Sequence, residues 1–232
     1  MVDRAWTEAF DRAFLGAVEE GEALAVGFGG IVRRATWAGN QVVTKQMYRD
    51  PDDQELFKAF LGVLIPSSPC LGYGVMDVNG LDHTRLISAY VPHTARDRLV
   101  PELDIAGRLR MAKGMITAIS FLSQLNLVHC DVKPDNFLVS EAETVFIIDL
   151  GSISRSGEDP PMSCEPYRPP DTIVSIAWDV FSLGKVFCEV SWWNHGASPD
   201  IPPAILQLIV DDMTQSGPSA WPCLSECLSR LT

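Results

Sequence analysis

The first part of the chain alternates hydrophobic and polar residues in short stretches, which is the pattern of half-buried β-strands. Glycines and the Ala-Gly-Asn at 38–40 separate several of these stretches and indicate tight turns. Ahead of them, Trp6, Phe10, Phe14 and Ala17 share one face at helical spacing. We therefore predict a helix over 3–20, a short helix around 53–64, and strands at 22–28, 31–37, 41–47, 71–78 and 84–91.

The second part of the chain changes to a helical period. Residues 103–128 form a long amphipathic pattern, with one side made of Ile105, Leu109, Ala112, Ile116, Ile119 and Leu122. Two short strands at 136–140 and 144–150 follow, then a Ser/Gly/Pro-rich stretch, an apolar helix at 176–193 and one or two short terminal helices. Because strands come first and helices later, we predict an α+β fold: a small β-rich lobe, a hinge near 89–95 and a larger, mainly helical lobe.

Composition narrows the class of protein. The chain has 232 residues, of which 47% are hydrophobic and 21% charged, as in ordinary globular proteins. Its six cysteines form no CxxC pair, which argues against a zinc site and for a reducing compartment. A net charge of −12 does not suit nucleic-acid binding, which needs a surplus of Lys and Arg. No apolar run is long enough to span a membrane, and the first residues do not resemble a secretory signal.

One short segment concentrates charge between apolar flanks. "HCDVKPDNFLV", at 129–139, holds Asp131, Lys133 and Asn136. Phosphoryl transfer needs a carboxylate to orient a hydroxyl, a cation on the moving phosphate and oxygen ligands for magnesium, and these three side chains can supply those roles. "FIIDLGS" adds Asp149 at the end of an apolar strand, a costly position for an unpartnered carboxylate. A charged loop alone is most often solvated surface, but the two segments together favour phosphoryl transfer.

These segments give the chain a resemblance to the eukaryotic-type protein kinases. "HCDVKPDNFLV" is similar to their catalytic loop, H-R-D-L-x-x-x-N, and "DLG" at 149–151 is similar to their D-F-G, at the usual separation. Lysine two positions after Asp131 resembles the Ser/Thr-specific branch. The remaining landmarks occur in the family's order over about 25–190: "AVGFGGIV" for the glycine-rich loop, "VVTK" for V-A-I-K, "LISAYVP" for the hinge, "YRPPD" for Y-x-A-P-E and "WDVFSLGKVFCEV" for the central helix.

The resemblance implies roles for individual residues. Asp131, Lys133 and Asn136 would be catalytic, and Asn136 and Asp149 would hold Mg²⁺. Asp179 would brace the catalytic loop, and Ser88 would be the gatekeeper at the back of the adenine site. ATP would bind at Gly27, Gly29, Gly30, Val32, Lys45, Glu55, Ala89 and Val91, with Asp53 as the alternative to Glu55 as partner of Lys45. The implied domains are an N-terminal helix packing on the kinase domain (1–22), an N-lobe (23–90) and a C-lobe (91–232) that is shortened after its central helix.

Some positions depart from the family pattern. Cys130 stands where the family often has an arginine that gathers a phosphate on the activation loop, so we hypothesise that the protein is active without phosphorylation there. Leu150 replaces phenylalanine, and Cys164 replaces the usual threonine, which weakens the argument for a hydroxyl substrate. Asp171 replaces a glutamate whose late arginine partner is missing near 215–222.

Together, the sequence predicts a protein kinase that transfers the γ-phosphate of MgATP to a serine or threonine. Two alternatives stay open: a pseudokinase that binds ATP or acts as a scaffold, and a small-molecule kinase of related fold, against which "KPDN" and "YRPPD" argue. We expect a monomer with a protein substrate, basic ones being favoured by the acidic charge, and no nucleic-acid or membrane partner. We expect an intracellular location, in cytoplasm or nucleus, of a host cell if the source is viral.

Overall fold

In a computed structural model, the chain forms two compact units, Met1–Tyr90 and Val91–Thr232. The structure describes residues 18–27, 30–47, 70–78, 81–99, 104–159, 161, 165–170, 173–189, 212–214, 217 and 221–231. The first unit contains an antiparallel sheet and the second is mainly helical in its described residues. The predicted α+β class is therefore confirmed.

The sheet of the first unit has five strands in the order β1-β2-β3-β5-β4. They are β1 (Glu19–Gly27), β2 (Gly30–Trp37), β3 (Asn40–Met47), β4 (Cys70–Val78) and β5 (Leu81–Ala89). All five predicted strands are confirmed. The predicted end of the first helix is wrong, because Glu19 and Glu20 already belong to β1, where they pair with Thr36 and Ala35. The helices predicted before residue 18 and around 53–64 lie outside the described residues.

Alternation along the strands gives the sheet two different faces. One face carries a buried cluster of Ala35, Trp37, Val42 and Ile87, against which Val18 packs. Between β2 and β3 the chain turns in two residues, Ala38 at φ 48° and Gly39 at φ 78°. Positive φ at both central positions is what a tight hairpin turn requires, which is why a small residue and a glycine stand there.

The described residues of the second unit form two longer helices, two short helices and five short strands. Its helices are α1 (Ala95–Leu99), α2 (Ile105–Gln124), α3 (Ala177–Glu189) and α4 (Leu224–Arg230). Its strands are β6 (His93–Thr94), β7 (Leu127–Val128), β8 (Phe137–Val139), β9 (Val145–Ile147) and β10 (Ser154–Arg155). Single 3₁₀ turns lie at Pro134–Asn136, Leu150–Ser152, Glu165–Tyr167 and Asp212–Thr214.

Helix α2 packs against the hairpin of β8 and β9. Asp104 caps its start by accepting a 2.7 Å hydrogen bond from the Gly107 amide. The predicted apolar side is buried at Ala112, Ile116, Ile119 and Leu122. At Gly114 the helix approaches the hairpin so closely that an added Cβ would lie 2.6 Å from Cγ2 of Val145. None of the described helices has the length and hydropathy needed to cross a bilayer.

Candidate active site

The predicted catalytic loop begins directly after β7, and a side chain of α3 fixes its backbone. The carboxylate of Asp179 is fully buried and accepts hydrogen bonds from the backbone amides of His129, at 2.7 Å, and Cys130, at 3.1 Å. The buried His129 ring also contacts the carbonyl oxygen of Ile148 through Nε2, at 3.0 Å. The brace that the resemblance assigned to Asp179 is thus confirmed by its contacts. Burial raises the pKa of the Asp179 carboxyl, and the two backbone donors oppose that rise.

Three predicted catalytic side chains meet at one carboxylate oxygen. Lys133 Nζ lies 2.6 Å from Asp131 Oδ2, and the side-chain amide of Asn136 donates to the same oxygen at 3.0 Å. The Asn136 amide also donates to the Asp131 carbonyl oxygen at 2.7 Å. The Asp131 side chain keeps only 11% of its surface exposed, so the cation and the amide hold a nearly buried carboxylate in one orientation.

Asp149 follows β9 and lies at the same end of the hairpin as Asn136. Phe137 pairs with Ile147, and the Ile148 amide donates to the Asn136 carbonyl at 2.9 Å. Asp149 itself adopts a left-handed conformation, with φ 59° and ψ 56°. A non-glycine residue in that region is uncommon and often marks a functional turn.

The donor set at this end of the hairpin fits a magnesium ion. The Asn136 amide nitrogen donates twice to Asp131, so its oxygen is the atom suited to a metal, and Asp149, at the same end of the hairpin, would supply a carboxylate. Mg²⁺ is usually held in such sites by one or two protein oxygens together with substrate phosphates. In the part of the chain that the structure describes, no group of three or more His, Cys, Asp or Glu side chains is placed to hold a metal ion. A fully protein-made metal cage is therefore absent from those residues.

The predicted nucleotide residues of the first unit lie along the sheet. Val32 pairs directly with Lys45 across β2 and β3, and Lys45 pairs with Leu86 of β5. Directly opposed residues project from the same face of a sheet, so Val32 and Lys45 share one face, opposite to that of the buried Val42. Gly29 and Glu55, and Asp53 as its alternative, lie outside the described residues.

Gly27 and Gly30 close the β1–β2 hairpin as a facing pair. Gly30 has φ 126°, and a Cβ added there would overlap the carbonyl oxygen of Gln46 in β3. Glycine at this position is thus required by the sheet itself, whatever else the loop binds.

The predicted hinge follows β5. Ala89 is the last residue of that strand and pairs with Val42, and the Tyr90 amide donates to the Gln41 carbonyl at 3.4 Å. Arg34 stacks over the Tyr90 ring at 4.8 Å and donates to its hydroxyl at 3.0 Å. Val91 is the first residue of the second unit. The aromatic ring between Ala89 and Val91 is therefore held against β2.

The Cys130 position is apolar and tightly enclosed. Its backbone has φ 63°, and only 5% of its surface is exposed. Burial raises the pKa of the Cys130 thiol to about 12, with Asp179 adding to the rise and Ser154 opposing it. Ser154 reaches this place because β10 pairs with β7. The site where the family often has an arginine thus offers no positive charge from residue 130.

A contact that the sequence did not reveal joins Arg96 to the loop. Arg96 Nε and Nη2 donate to the two carboxylate oxygens of Asp135, each at 2.8 Å. The two residues are far apart in the sequence: Asp135 belongs to the segment at 129–139, whereas Arg96 belongs to none of the motifs quoted above. The Thr-x-x-Asp of 94–97 was the available signal, since it predicts a helix that starts at Ala95 and so places Arg96 in its first turn.

The fold and this loop together define a phosphotransferase-type site on a two-lobed α+β scaffold. The sequence pattern of the protein kinase domain matches residues 79–212, more than half of the chain. The chain therefore belongs to the protein kinase family, and the predicted family is confirmed. The match includes Asp131, Asn136, Asp149 and Asp179, whereas Lys45 and the glycine-rich stretch precede it.

Curated relatives are similar to parts of the chain. A receptor protein kinase-like protein of Arabidopsis thaliana is 29% identical over 137 residues, which cover 48% of this chain and 18% of the relative. The serine/threonine-protein kinase prp4 of Schizosaccharomyces pombe is 34% identical over 88 residues, covering 36% and 17%. The dual specificity mitogen-activated protein kinase kinase sek-1 of Caenorhabditis elegans is 33% identical over 101 residues, covering 37% and 29%. The chain thus spans less than a third of the length of each relative.

Proposed function

We propose that this chain is an ATP-dependent protein kinase that phosphorylates serine or threonine in a protein substrate. The observation that carries the proposal is the convergence of Lys133 and Asn136 on one oxygen of Asp131. Such an arrangement orients a carboxylate beside a cation, as transfer of a phosphoryl group to a hydroxyl requires. A scaffold has no need to hold these three groups together.

In this proposal, catalysis is positioning and charge stabilisation. Asp131 orients the substrate hydroxyl and accepts its proton, while Lys133 neutralises charge on the transferred phosphoryl group. Asn136 and Asp149 would hold Mg²⁺, which would offset the negative charge of the nucleotide phosphates. Lys45, from the face of the sheet shared with Val32, would contact the nucleotide phosphates.

The choice of hydroxyl rests on Lys133 and on the relatives. Lysine two positions after the catalytic aspartate resembles the Ser/Thr branch of the family, and the S. pombe relative is named a serine/threonine-protein kinase. The C. elegans relative is named a dual specificity kinase, so phosphoamino-acid analysis of the product has to include tyrosine. An intracellular location belongs to the same proposal.

The direct test is transfer of radiolabelled phosphate from MgATP to a mixed basic protein substrate. Asp131→Ala is the informative variant, and Arg110→Ala is a control on the exposed surface of α2. We expect label with the wild-type chain and the control, and a loss of about 10³-fold or more with Asp131→Ala, because catalytic groups that act together fail together.

Absence of label in the wild-type chain would contradict the proposal. If MgATP then still raised the melting temperature, the chain would be a nucleotide-binding pseudokinase. Label on small alcohols or amines, but not on protein, would indicate a small-molecule kinase. Acid hydrolysis of a labelled protein product identifies serine, threonine or tyrosine.

A further inference from the structure

The position of Arg96 is fixed by a short strand and a helix cap. In β6, His93 pairs with Val139 and Thr94 with Leu138, so the chain leading to Arg96 runs beside β8, the strand that leaves the catalytic loop. Thr94 and Asp97 then form a reciprocal cap: the Thr94 amide and hydroxyl donate to Asp97 Oδ2, both at 2.8 Å, and the Asp97 amide donates to Thr94 Oγ1 at 3.2 Å. These bonds lower the pKa of the Asp97 carboxyl and keep the cap charged.

From this position Arg96 binds Asp135 through two parallel hydrogen bonds. The two bonds, from Nε and Nη2 to the two carboxylate oxygens, have the bidentate geometry that arginine offers and lysine does not. The contact lowers the pKa of Asp135, chiefly through its hydrogen bonds to Arg96, which favours the ionised form of the carboxyl. Asp135 lies at the centre of the 3₁₀ turn Pro134–Asn136, in which the Asn136 amide donates to the Lys133 carbonyl at 3.0 Å.

Arg96 also reaches the segment that follows the Ser/Gly/Pro-rich stretch. Its Nη2 donates to the Tyr167 hydroxyl at 3.4 Å. Tyr167 is buried, and its carbonyl oxygen accepts a 2.8 Å hydrogen bond from Ser182 of α3. Helix α3 therefore supports the loop at two points: directly at its start, through Asp179, and indirectly at its end, through Ser182, Tyr167 and Arg96.

We propose that Arg96 is a positioning residue for phosphoryl transfer: it holds Asp135, and through the 3₁₀ turn it sets the placement of Lys133 and Asn136 and couples them to Tyr167. The proposal rests on the proposed kinase activity. It assigns Arg96 no contact with substrate or nucleotide. In this proposal Arg96 balances the charge of Asp135, and Asp135 does not bind basic residues of a substrate.

The test compares Arg96→Ala, Arg96→Lys, Asp135→Asn and the Arg96→Ala/Asp135→Asn double variant in the full chain. Arg110→Ala is the matched control, because Arg110 and Glu143 form a similarly exposed arginine–carboxylate pair, at 2.8 Å, between α2 and the β8–β9 turn. The measurements are kcat, KM for MgATP, the melting temperature and hydrogen exchange of the backbone amides at 133–137.

We expect Arg96→Ala to lower kcat about tenfold, since small misplacements of catalytic groups are costly, and to leave KM for MgATP within about twofold. Exchange at 133–137 should rise, while exchange at 145–147 and the melting temperature stay close to wild type. Arg96→Lys should fall in between, because it keeps the charge and loses the fork. The double variant should be no slower than either single variant, as for two partners in one interaction.

Additive effects in the double variant, unchanged exchange at 133–137, or an equal loss in Arg110→Ala would each overturn the proposal. A wild-type chain without transferase activity would instead contradict the proposed function. In that case the exchange measurements alone decide whether Arg96 holds the loop.

Discussion

The carboxylate of Asp179 accepts a hydrogen bond from the backbone amide of Cys130, a residue held at φ 63°. A left-handed conformation at a buried, non-glycine position costs free energy and persists only where surrounding contacts fix it. The neighbouring bond from His129 to the same carboxylate completes the brace. The geometry of the loop therefore depends on a side chain from a helix far along the chain.

We predict that Asp179→Ala removes phosphotransfer and destabilises the fold. Two buried backbone donors would lose their acceptor, at about 1–3 kcal/mol for each unsatisfied group. Denaturant unfolding should show the loss, and hydrogen exchange should show faster opening at 129–131. Lys185→Ala, in the same helix, serves as control and should change the free energy of unfolding little. Wild-type exchange at 129–131 in Asp179→Ala would refute the brace.

We predict that Gly30→Ala destabilises the first unit far more than Gly39→Ala. Both glycines have positive φ, but a Cβ at Gly39 meets no atom within 4 Å, whereas at Gly30 it overlaps the backbone of Gln46. Gly39→Ala should therefore cost only the conformational penalty, about 1–2 kcal/mol. Gly30→Ala adds a collision with a backbone atom that cannot rotate away. Equal unfolding midpoints for the two variants would contradict this explanation.

Thiol reactivity should separate the exposed Cys223 from the buried Cys130 and Cys227. Cys223 is exposed, and its hydrogen bonds to Ser225 and to the Glu226 backbone lower its pKa, so more of it is thiolate at pH 8. Burial raises the pKa of Cys130 and of Cys227 to about 12, which keeps both protonated. Mass spectrometry after brief iodoacetamide treatment should find Cys223 modified well before the other two, and Cys223→Ser should remove the early product. Early labelling of Cys130 would show that its thiol is accessible to the reagent and would contradict this prediction.

We predict that phosphatase treatment leaves the transferase activity intact. Cys130 provides no cation for a loop phosphate, and the segment after Asp149 is held by other means: β10 pairs with β7, the Gly157 amide donates to Val174 at 2.8 Å, and the Val174 amide donates to Glu158 at 3.0 Å. Activity is compared after active and heat-killed phosphatase, with mass spectrometry to verify that the serines between Asp149 and Tyr167 carry no phosphate. Loss of activity after active phosphatase, but not after heat-killed phosphatase, would contradict the prediction.

Local pattern predicted most of the elements, because strand alternation and helical period are properties of neighbouring residues. The end of α2 and the start of β1 were predicted wrongly, because structure outside the local pattern determines them. Helix α2 stops at Gln124 because Asn126 takes φ 56° and the chain turns into β7. Strand β1 extends back to Glu19, because Glu19 and Glu20 pair with Thr36 and Ala35 of β2, and Glu20 also accepts hydrogen bonds from Arg85 of β5 and Thr44 of β3.

The motif residues of the loop were predictable because their chemistry lies within one short segment. The family resemblance also predicted the support from Asp179, but not the support from Arg96 and Tyr167. Arg96 and Asp135, like Ser182 and Tyr167, meet only after the chain has folded, and no spacing rule relates them. The nucleotide roles of Gly27, Lys45, Glu55, Ala89 and Val91 stay predictions.

The pairing of β6 with β8 has a consequence for how the protein is made. In the sequence, α2 and residues 129–136 of the catalytic loop lie between these two strands. Pairing the strands therefore carries the entropy cost of closing a long loop. A nascent chain emerges from its N-terminus, and Asp179 leaves the ribosome well after Asp131. During that interval the amides of His129 and Cys130 lack their acceptor, Asp179. The conformation at the start of the loop is therefore completed late in synthesis, when α3 has joined the fold.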